Sequence, residues 1–138
     1  MRFMVIVKAS KDSEAGQMPS TELLTAMGKF NEELVKAGVM EAGEGLHPSA
    51  KGARIKYGSG QGRVSRGPFA LSGDLVSGFW LINTRSIDDA IEWMQRAPFG
   101  NGDEIEIRQV LAAEDFGEAL TPGLREQEER LRSQAGKK

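Results

Sequence analysis

The chain has one histidine, His47, and this is the side chain best suited to acid–base chemistry near neutral pH. It follows a predicted strand and precedes Pro48, in a connection of the kind that often carries functional residues. A neighbouring carboxylate would orient it as a general base, and the candidates are Asp74 and Glu44. A solvated or capping loop histidine fits the same pattern, so the sequence leaves both interpretations open.

Asp74 lies between a Gly-Pro-Phe turn and a strongly apolar segment. A carboxylate there would bind a substrate hydroxyl or pair with His47. It would equally serve as a turn residue after Gly73, accepting hydrogen bonds from nearby backbone N–H groups. The pattern does not separate these alternatives.

Residues 45–73 contain no acidic side chain and five basic ones: Lys51, Arg54, Lys56, Arg63 and Arg66. Such a patch attracts anions, so we predict that Arg66 or Arg54 contacts the ligand. Phe69 and Trp80 are the candidate aromatic contacts, and core or dimer packing is the alternative and more usual role for Trp80. One interleaved aromatic residue, Tyr57, in an acidic chain is a weak nucleic-acid signature, so we expect a small polar or anionic molecule as the ligand rather than nucleic acid. The charges would also serve simply to keep a hairpin from pairing edge to edge.

Composition excludes several classes of protein. The 138 residues carry 18 Lys and Arg against 20 Asp and Glu, for a formal charge of −2, unlike a dedicated nucleic-acid binder. With no cysteine, thiol catalysis and Cys-ligated metal centres are excluded. No acidic cluster has the spacing of a metal site, and the glycines match no nucleotide-binding motif, so we expect no metal and no cofactor.

No apolar run reaches the roughly 18 residues of a membrane span, and no export signal is evident, so we expect a cytoplasmic protein.

Hydrophobic periodicity predicts an alternation of strands and helices. The predicted elements are a strand over 2–8, a loop over 9–19, a helix over 20–37, a strand over 39–46, hairpin arms over 52–57 and 62–65, a strand over 77–84, a helix from Ser86 to before Pro98, a strand over 104–111, and a tail helix followed by a disordered end from about Ser133. This order, β-α-β-(hairpin)-β-α-β, predicts an α+β fold with a ferredoxin-like sheet and an extra hairpin.

The two strands predicted at the centre of that sheet are apolar on both faces. Both helices would cover one face, leaving either Phe79 and Leu81 or Trp80 and Ile82 on the other. An exposed apolar sheet face needs a cover, and a second copy is the commonest one. We therefore expect a homodimer packed sheet to sheet, with a cleft near or between the sheets.

Three stretches of sequence carry a family likeness: residues 30–39 (FNEELVKAGV), residues 43–46 (GEGL), and residues 67–70 (GPFA) followed by 78–82 (GFWLI). Together they resemble the YCII-related proteins of the DGPF type. The likeness spans about residues 1–112 and leaves 113–138 as a C-terminal tail.

That resemblance implies a ferredoxin-like fold that dimerises into an α+β barrel, a bacterial origin and an unknown biochemical role. Some relatives are encoded beside, or joined to, sigma factors, which implies a link to regulation. Arg66 stands where the motif has aspartate, and residues 71–74 keep only the last acidic position of the usual run. A His–Asp pair has been proposed for the wider family, and His47 is the one histidine available for it here.

Three functions follow as alternatives. A cofactor-free enzyme for an isomerisation, a hydrolysis or an oxygenation would use His47 as base, Asp74 or Glu44 to orient it, and Arg66 or Arg54 to hold the anion. A non-catalytic ligand-binding or transcription-linked regulatory module would need the cleft but not His47. A nucleic-acid accessory protein, the least favoured class, would depend on the hairpin cations and bind less tightly as salt rises.

Overall fold

The computed structural model of the chain describes residues 1–136. The strands are β1 (Arg2–Lys8), β2 (Met40–Gly45), β3 (Ala53–Lys56), β4 (Arg63–Arg66), β5 (Val76–Asn83) and β6 (Ile105–Gln109). The α-helices are α1 (Lys11–Glu14), α2 (Thr21–Lys36), α3 (Ile87–Met94) and α4 (Pro122–Gln134), and 3₁₀ turns cover Ser49–Lys51 and Ala113–Ala119. The result is a mixed α/β structure built on an antiparallel sheet.

The main sheet has the strand order β2-β5-β1-β6, and every neighbouring pair is antiparallel. The two strands that are apolar on both faces, β1 and β5, occupy the centre, as the sequence predicts. Phe3 lies opposite Ile82 and Val5 opposite Trp80. The β3–β4 hairpin forms a separate two-stranded sheet in the connection between β2 and β5.

The core lies between one face of this sheet and the two longer helices of the main body, α2 and α3. Phe3, Val5 and Ile82 are fully buried on the sheet side. The helices contribute four buried residues to the same cluster: Phe30 and Leu34 from α2, and Ala90 and Met94 from α3. Burial of these side chains supplies the main favourable term in folding.

The open face of the sheet carries the apolar side chains that point away from this core. Met4 and Ile6 of β1 lie opposite Leu81 and Phe79 of β5, and all four are half-buried. Of the two pairs that the sequence offered, Phe79 and Leu81 therefore lie on the open face, while Trp80 and Ile82 lie in the core.

Local signals place the ends of α2 as predicted. The Ser20 hydroxyl accepts a hydrogen bond from the Leu23 N–H, and Gly38 follows the helix with a φ of 71°. The expected buried stripe is shorter than predicted, because Leu23 and Leu24 in the first turns remain exposed. Only the second half of the helix, from Met27 onward, packs on the sheet.

Two further details differ from the sequence prediction. The loop predicted over 9–19 contains α1, whose Ser10 cap and Ser13 bond each other reciprocally. The tail helix α4 ends at Gln134 rather than giving way to disorder at Ser133. The last two residues of the predicted disordered end, Lys137 and Lys138, lie outside the described residues. Over residues 1–136, the structure has no helix of the length and apolar character that a membrane crossing requires.

Candidate functional site

The basic residues lie at one end of the sheet, in the β2–β5 connection, which we define as residues 46–75. Gly45 at the end of β2 lies opposite Gly78 near the start of β5, and Lys8 at the end of β1 lies opposite Val76. The ends of three strands therefore meet where this connection begins and finishes. The connection contains the hairpin and the Gly-Pro-Phe turn.

A hydrogen-bond network centred on Ser49 anchors the connection to the body. The Ser49 N–H donates to Glu14 Oε1 over 2.9 Å, and the Ser49 hydroxyl donates to Glu14 Oε2 over 2.5 Å. The same hydroxyl oxygen accepts a hydrogen bond from the Phe69 N–H over 3.0 Å. Glu14 of α1 thus fixes the position of Ser49 through hydrogen bonds, and Ser49 fixes the turn at Phe69 in the same way.

At Gly67 the two arms of the connection come into direct backbone contact. The Gly67 N–H donates to the Gly52 carbonyl over 3.0 Å, and the peptide bond between Gly67 and Pro68 is cis. A Cβ atom at position 67 would overlap the carbonyl oxygen of Ser49. Only glycine therefore fits this approach.

The hydrogen bonds from Ser49 lower the pKa of the Glu14 carboxyl below its ordinary value. The larger contribution comes from the Ser49 hydroxyl and the next from its backbone N–H. A carboxyl with a lower pKa in the folded state stabilises the fold above its unfolded pKa, and this contribution is lost as the pH falls through the folded pKa.

We therefore expect Glu14→Gln to reduce the loss of unfolding free energy on acidification below about pH 4.3, the ordinary glutamate value. Urea denaturation of the wild type and the variant at about pH 7 and about pH 3 measures this difference. Glu126→Gln, on the exposed α4, is the matched control and should retain the wild-type pH profile. Equal losses in the wild type and Glu14→Gln would contradict the anchoring role.

Two of the residues predicted to bind a ligand are in contact. The Arg54 guanidinium carbon lies 3.9 Å from the centre of the Phe69 ring, in cation–π geometry. Because Arg54 is in β3 and Phe69 is held by Ser49, the hairpin and the turn form one surface. A guanidinium stacked by its face keeps its N–H edge free for an oxyanion.

The hairpin register separates the cations onto two faces. Lys56 lies opposite Arg63, and Arg54 lies opposite Ser65. Because strand side chains alternate, Arg54, Lys56 and Arg63 share one face. Arg66, opposite Ala53, shares the other face with the exposed apolar residues Ile55 and Val64. Arg66 and Arg54, the alternative anion contacts predicted from the sequence, therefore lie on opposite faces of the hairpin, and the ligand contact of Arg66 stays a prediction.

Within residues 1–136, the basic side chains of the connection have no acidic partners. Among residues 1–136, no carboxylate lies within 4.0 Å of any of the five basic side chains of the connection. Cations elsewhere do form such pairs, for example Arg2 with Glu41 at 2.8 Å and Lys8 with Glu106 at 3.3 Å. The connection is thus a concentration of positive charge that the chain itself does not neutralise.

The candidate acid–base residues are not brought together in the monomer. His47, Glu44 and Asp74 are all exposed, and within the described chain no carboxylate lies within 4.0 Å of His47. The backbone N–H of Asp74 donates to the Ser72 hydroxyl over 3.4 Å, which is a local turn contact. The general-base role of His47 stays a prediction.

Trp80 belongs to the core rather than to the ligand surface. Its side chain is 6% exposed and its ring meets Phe30 and Phe99 edge to face, with centroids 6.0 Å apart. Its indole N–H donates to the Asn31 side-chain oxygen over 3.0 Å. Trp80 therefore packs in the core, because the alternation along β5 turns this side chain toward the helices, and its ligand contact stays a prediction from the sequence.

Comparison with known proteins settles the family. The model of the YCII-related domain matches residues 1–114. The chain belongs to the YCII-related family. No curated protein matches the sequence. A solved structure, the 5-chloro-2-hydroxyhydroquinone dehydrochlorinase TftG from Burkholderia phenoliruptrix AC1100 in complex with 2,5-dihydroxybenzoquinone, is 16% identical with a TM-score of 0.40, over 81% of this chain and 96% of that chain.

In this YCII-related chain, sequence reasoning missed Glu14 and Ser49. They are 35 positions apart, and no local motif joins them. The nearest signal is that Ser49 follows His47-Pro48, in a connection of the kind that often carries functional residues. In residues 1–136, no three or more of the His, Cys, Asp and Glu side chains are grouped as metal ligands would be.

Proposed function

We propose that this YCII-related protein binds a small anionic molecule at the β2–β5 connection and that it works as a homodimer. The observation that carries the binding proposal is Arg54, stacked on Phe69 at 3.9 Å with no acidic partner in the described chain. Stacking restricts the rotamers of the arginine before a ligand arrives, so less entropy is lost on binding.

The chemistry of the ligand follows from the guanidinium. Its planar donor edge matches the two oxygens of a carboxylate or a phosphate, and such charge-assisted bonds are stronger than neutral ones. The Phe69 N–H, whose partner is Ser49, fixes the ring beneath the guanidinium. The site thus combines a prepositioned cation with a rigid aromatic base, which supports an oxyanion as ligand.

Binding is the primary function proposed, because it requires only groups that the monomer already presents together. Catalysis through His47 requires an orienting carboxylate, and the described chain has none within 4.0 Å of it. Cofactor-free catalysis at this site, like the cytoplasmic location, stays a prediction from the sequence. A regulatory ligand-binding role needs no such base.

The binding proposal is tested by isothermal titration with inorganic phosphate at low ionic strength. We expect Arg54→Gln to weaken phosphate binding by about tenfold or more, since a hydrogen bond to a charged group contributes about 1.5–3 kcal/mol. The matched control is Arg130→Gln, the same change of charge on the exposed α4, and it should retain wild-type affinity. Absence of phosphate binding in the wild type, or equal losses in the two variants, would overturn the proposal.

The homodimer proposal rests on the open sheet face. The strand order β2-β5-β1-β6, with α2 and α3 on the opposite face, supports the ferredoxin-like arrangement. The central part of the open face is apolar, and a second copy packed against it would complete an α+β barrel. Light scattering during gel filtration is expected to give twice the chain mass of 15.0 kDa. A mass of a single chain at all concentrations would rule the dimer out.

A further inference from the structure

We propose that the ligand carries a linear chain of phosphates and binds along the cationic face of the hairpin, which we define as Arg54, Lys56 and Arg63. This inference rests on the proposed anion-binding function and specifies its ligand class. The shared chemistry is a row of anionic groups, which a free polyphosphate and the phosphate chain of a nucleotide both present.

The register of the hairpin places these three cations on one face. Lys56 and Arg63 are direct cross-strand partners, and Arg54 lies two residues before Lys56 on the same strand. Residues two apart along a strand are about 6.6 Å apart, and directly opposite residues are about 4.5–5.5 Å apart. The path from Arg54 to Lys56 runs along one strand and then crosses to Arg63, with residue spacings of about 5–7 Å, and this suits a ligand with several anionic groups better than one with a single group.

The arrangement is unfavourable for the hairpin by itself. Like charges directly opposite each other destabilise a strand pair, and an isolated two-stranded sheet is marginally stable. No acidic side chain of the described chain offsets Lys56 or Arg63 within 4.0 Å. An anion bridging the pair would remove this repulsion, so a bound polyanion would also order the hairpin.

A depression at the hairpin tip adds an independent feature. A cleft of about 360 Å³ is lined by Lys56 and Arg63 together with Tyr57, Gly58, Ser59 and Gln61. The two cations thus border a concave space whose lining also includes the polar side chains of Ser59 and Gln61. A ligand that begins at Arg54 and continues past Lys56 reaches this cleft, whereas a single phosphate at Arg54 would not.

Isothermal titration with inorganic phosphate, tripolyphosphate and ATP, at one fixed ionic strength and without divalent cations, tests the inference. We expect tripolyphosphate to bind at least about tenfold more tightly than phosphate, because it engages further cations. ATP binding equal to tripolyphosphate would identify the phosphate chain as the recognised group, and tighter ATP binding would identify a nucleotide as its source. Both outcomes support the inference.

The variants locate the effect. Arg63→Gln should remove most of the preference for tripolyphosphate while leaving phosphate affinity within about twofold, since phosphate is held at Arg54. Arg66→Gln, the same charge change on the opposite face of the same hairpin, should reduce the preference less than Arg63→Gln does. Equal effects of these two variants would mean general attraction to the basic hairpin and would overturn the inference.

The result also separates this inference from the proposed function. If phosphate binds but tripolyphosphate binds no more tightly, the polyphosphate inference fails and the anion site stands. If neither binds, the proposed function itself fails. A mixed-sequence single-stranded oligonucleotide that binds more tightly than tripolyphosphate, with a steep loss of affinity as salt rises, would overturn the inference in favour of nucleic acid.

Discussion

Replacing Gly67 by alanine is expected to disrupt the candidate site more than any change of charge. The new Cβ would overlap the Ser49 carbonyl oxygen, and this is a rigid backbone atom, so the two arms of the connection must move apart. Overpacking of this kind typically lowers the unfolding free energy by about 1–3 kcal/mol. Because Ser49 holds the Phe69 N–H, we also expect phosphate affinity to fall by about tenfold or more.

Gly73→Ala is the matched control for this prediction. Gly73 lies in the same connection, has ordinary negative φ, and has no atom within 4 Å of the position that a Cβ would occupy. Urea denaturation at a fixed protein concentration and phosphate titration compare the two variants. If Gly67→Ala retains the stability and affinity of Gly73→Ala, the close approach of the two arms does not matter to the site.

Replacing Phe3 by alanine is expected to give the largest loss of stability. Phe3 is fully buried on β1, opposite Ile82, at the centre of the sheet and beneath the helices. Truncation of a buried phenylalanine costs about 3–5 kcal/mol, through lost transfer free energy and the cavity left behind. Since small domains have net stabilities of about 5–15 kcal/mol, much of the protein's stability would be lost.

Phe116→Ala provides the same truncation at an exposed position. Phe116 is 52% exposed in the 3₁₀ segment before α4. Its truncation should therefore change the unfolding free energy of the protein by no more than about 0.5–1 kcal/mol. Thermal or urea unfolding followed by circular dichroism measures both variants. Similar losses in the two would show that Phe3 is not the central packing residue that its burial indicates.

The sheet could be predicted from the sequence because its signals are local and redundant. The sequences of β1 and β5 place apolar residues on both faces, and both are central strands of the sheet. Ser20 and Ser86 cap the two helices that were expected to start there. The sequence does not show which face of β5 meets the helices. Because both faces are apolar, the alternation of side chains does not tell whether Trp80 or Phe79 is buried in the core.

The candidate site was less predictable, because its decisive contacts join distant segments. A positive charge run predicts an anion contact at Arg54, but sequence does not place Phe69 under that guanidinium. Helix α1 has four residues, too few for hydrophobic periodicity, so Glu14 carried no signal. Arg66 could be assigned to a hairpin but not to one of its faces, since a shift of one residue in register reverses the face.

The β2–β5 connection separates the residues proposed to bind the ligand from those that form the buried core. β2 and β5 are antiparallel neighbours, and Gly45 and Gly78 lie directly opposite each other, so a hairpin turn of a few residues would suffice to join them. The chain uses residues 46–75 instead, and Leu75 is the one buried hydrophobic side chain in this segment. Exposed positions of the hairpin arms can therefore be exchanged to change what is recognised while the buried core of the main sheet stays the same. A chain in which only the hairpin between Gly52 and Gly67 is exchanged, with Ser49 and Leu75 kept, is the starting point for grafting a different recognition loop.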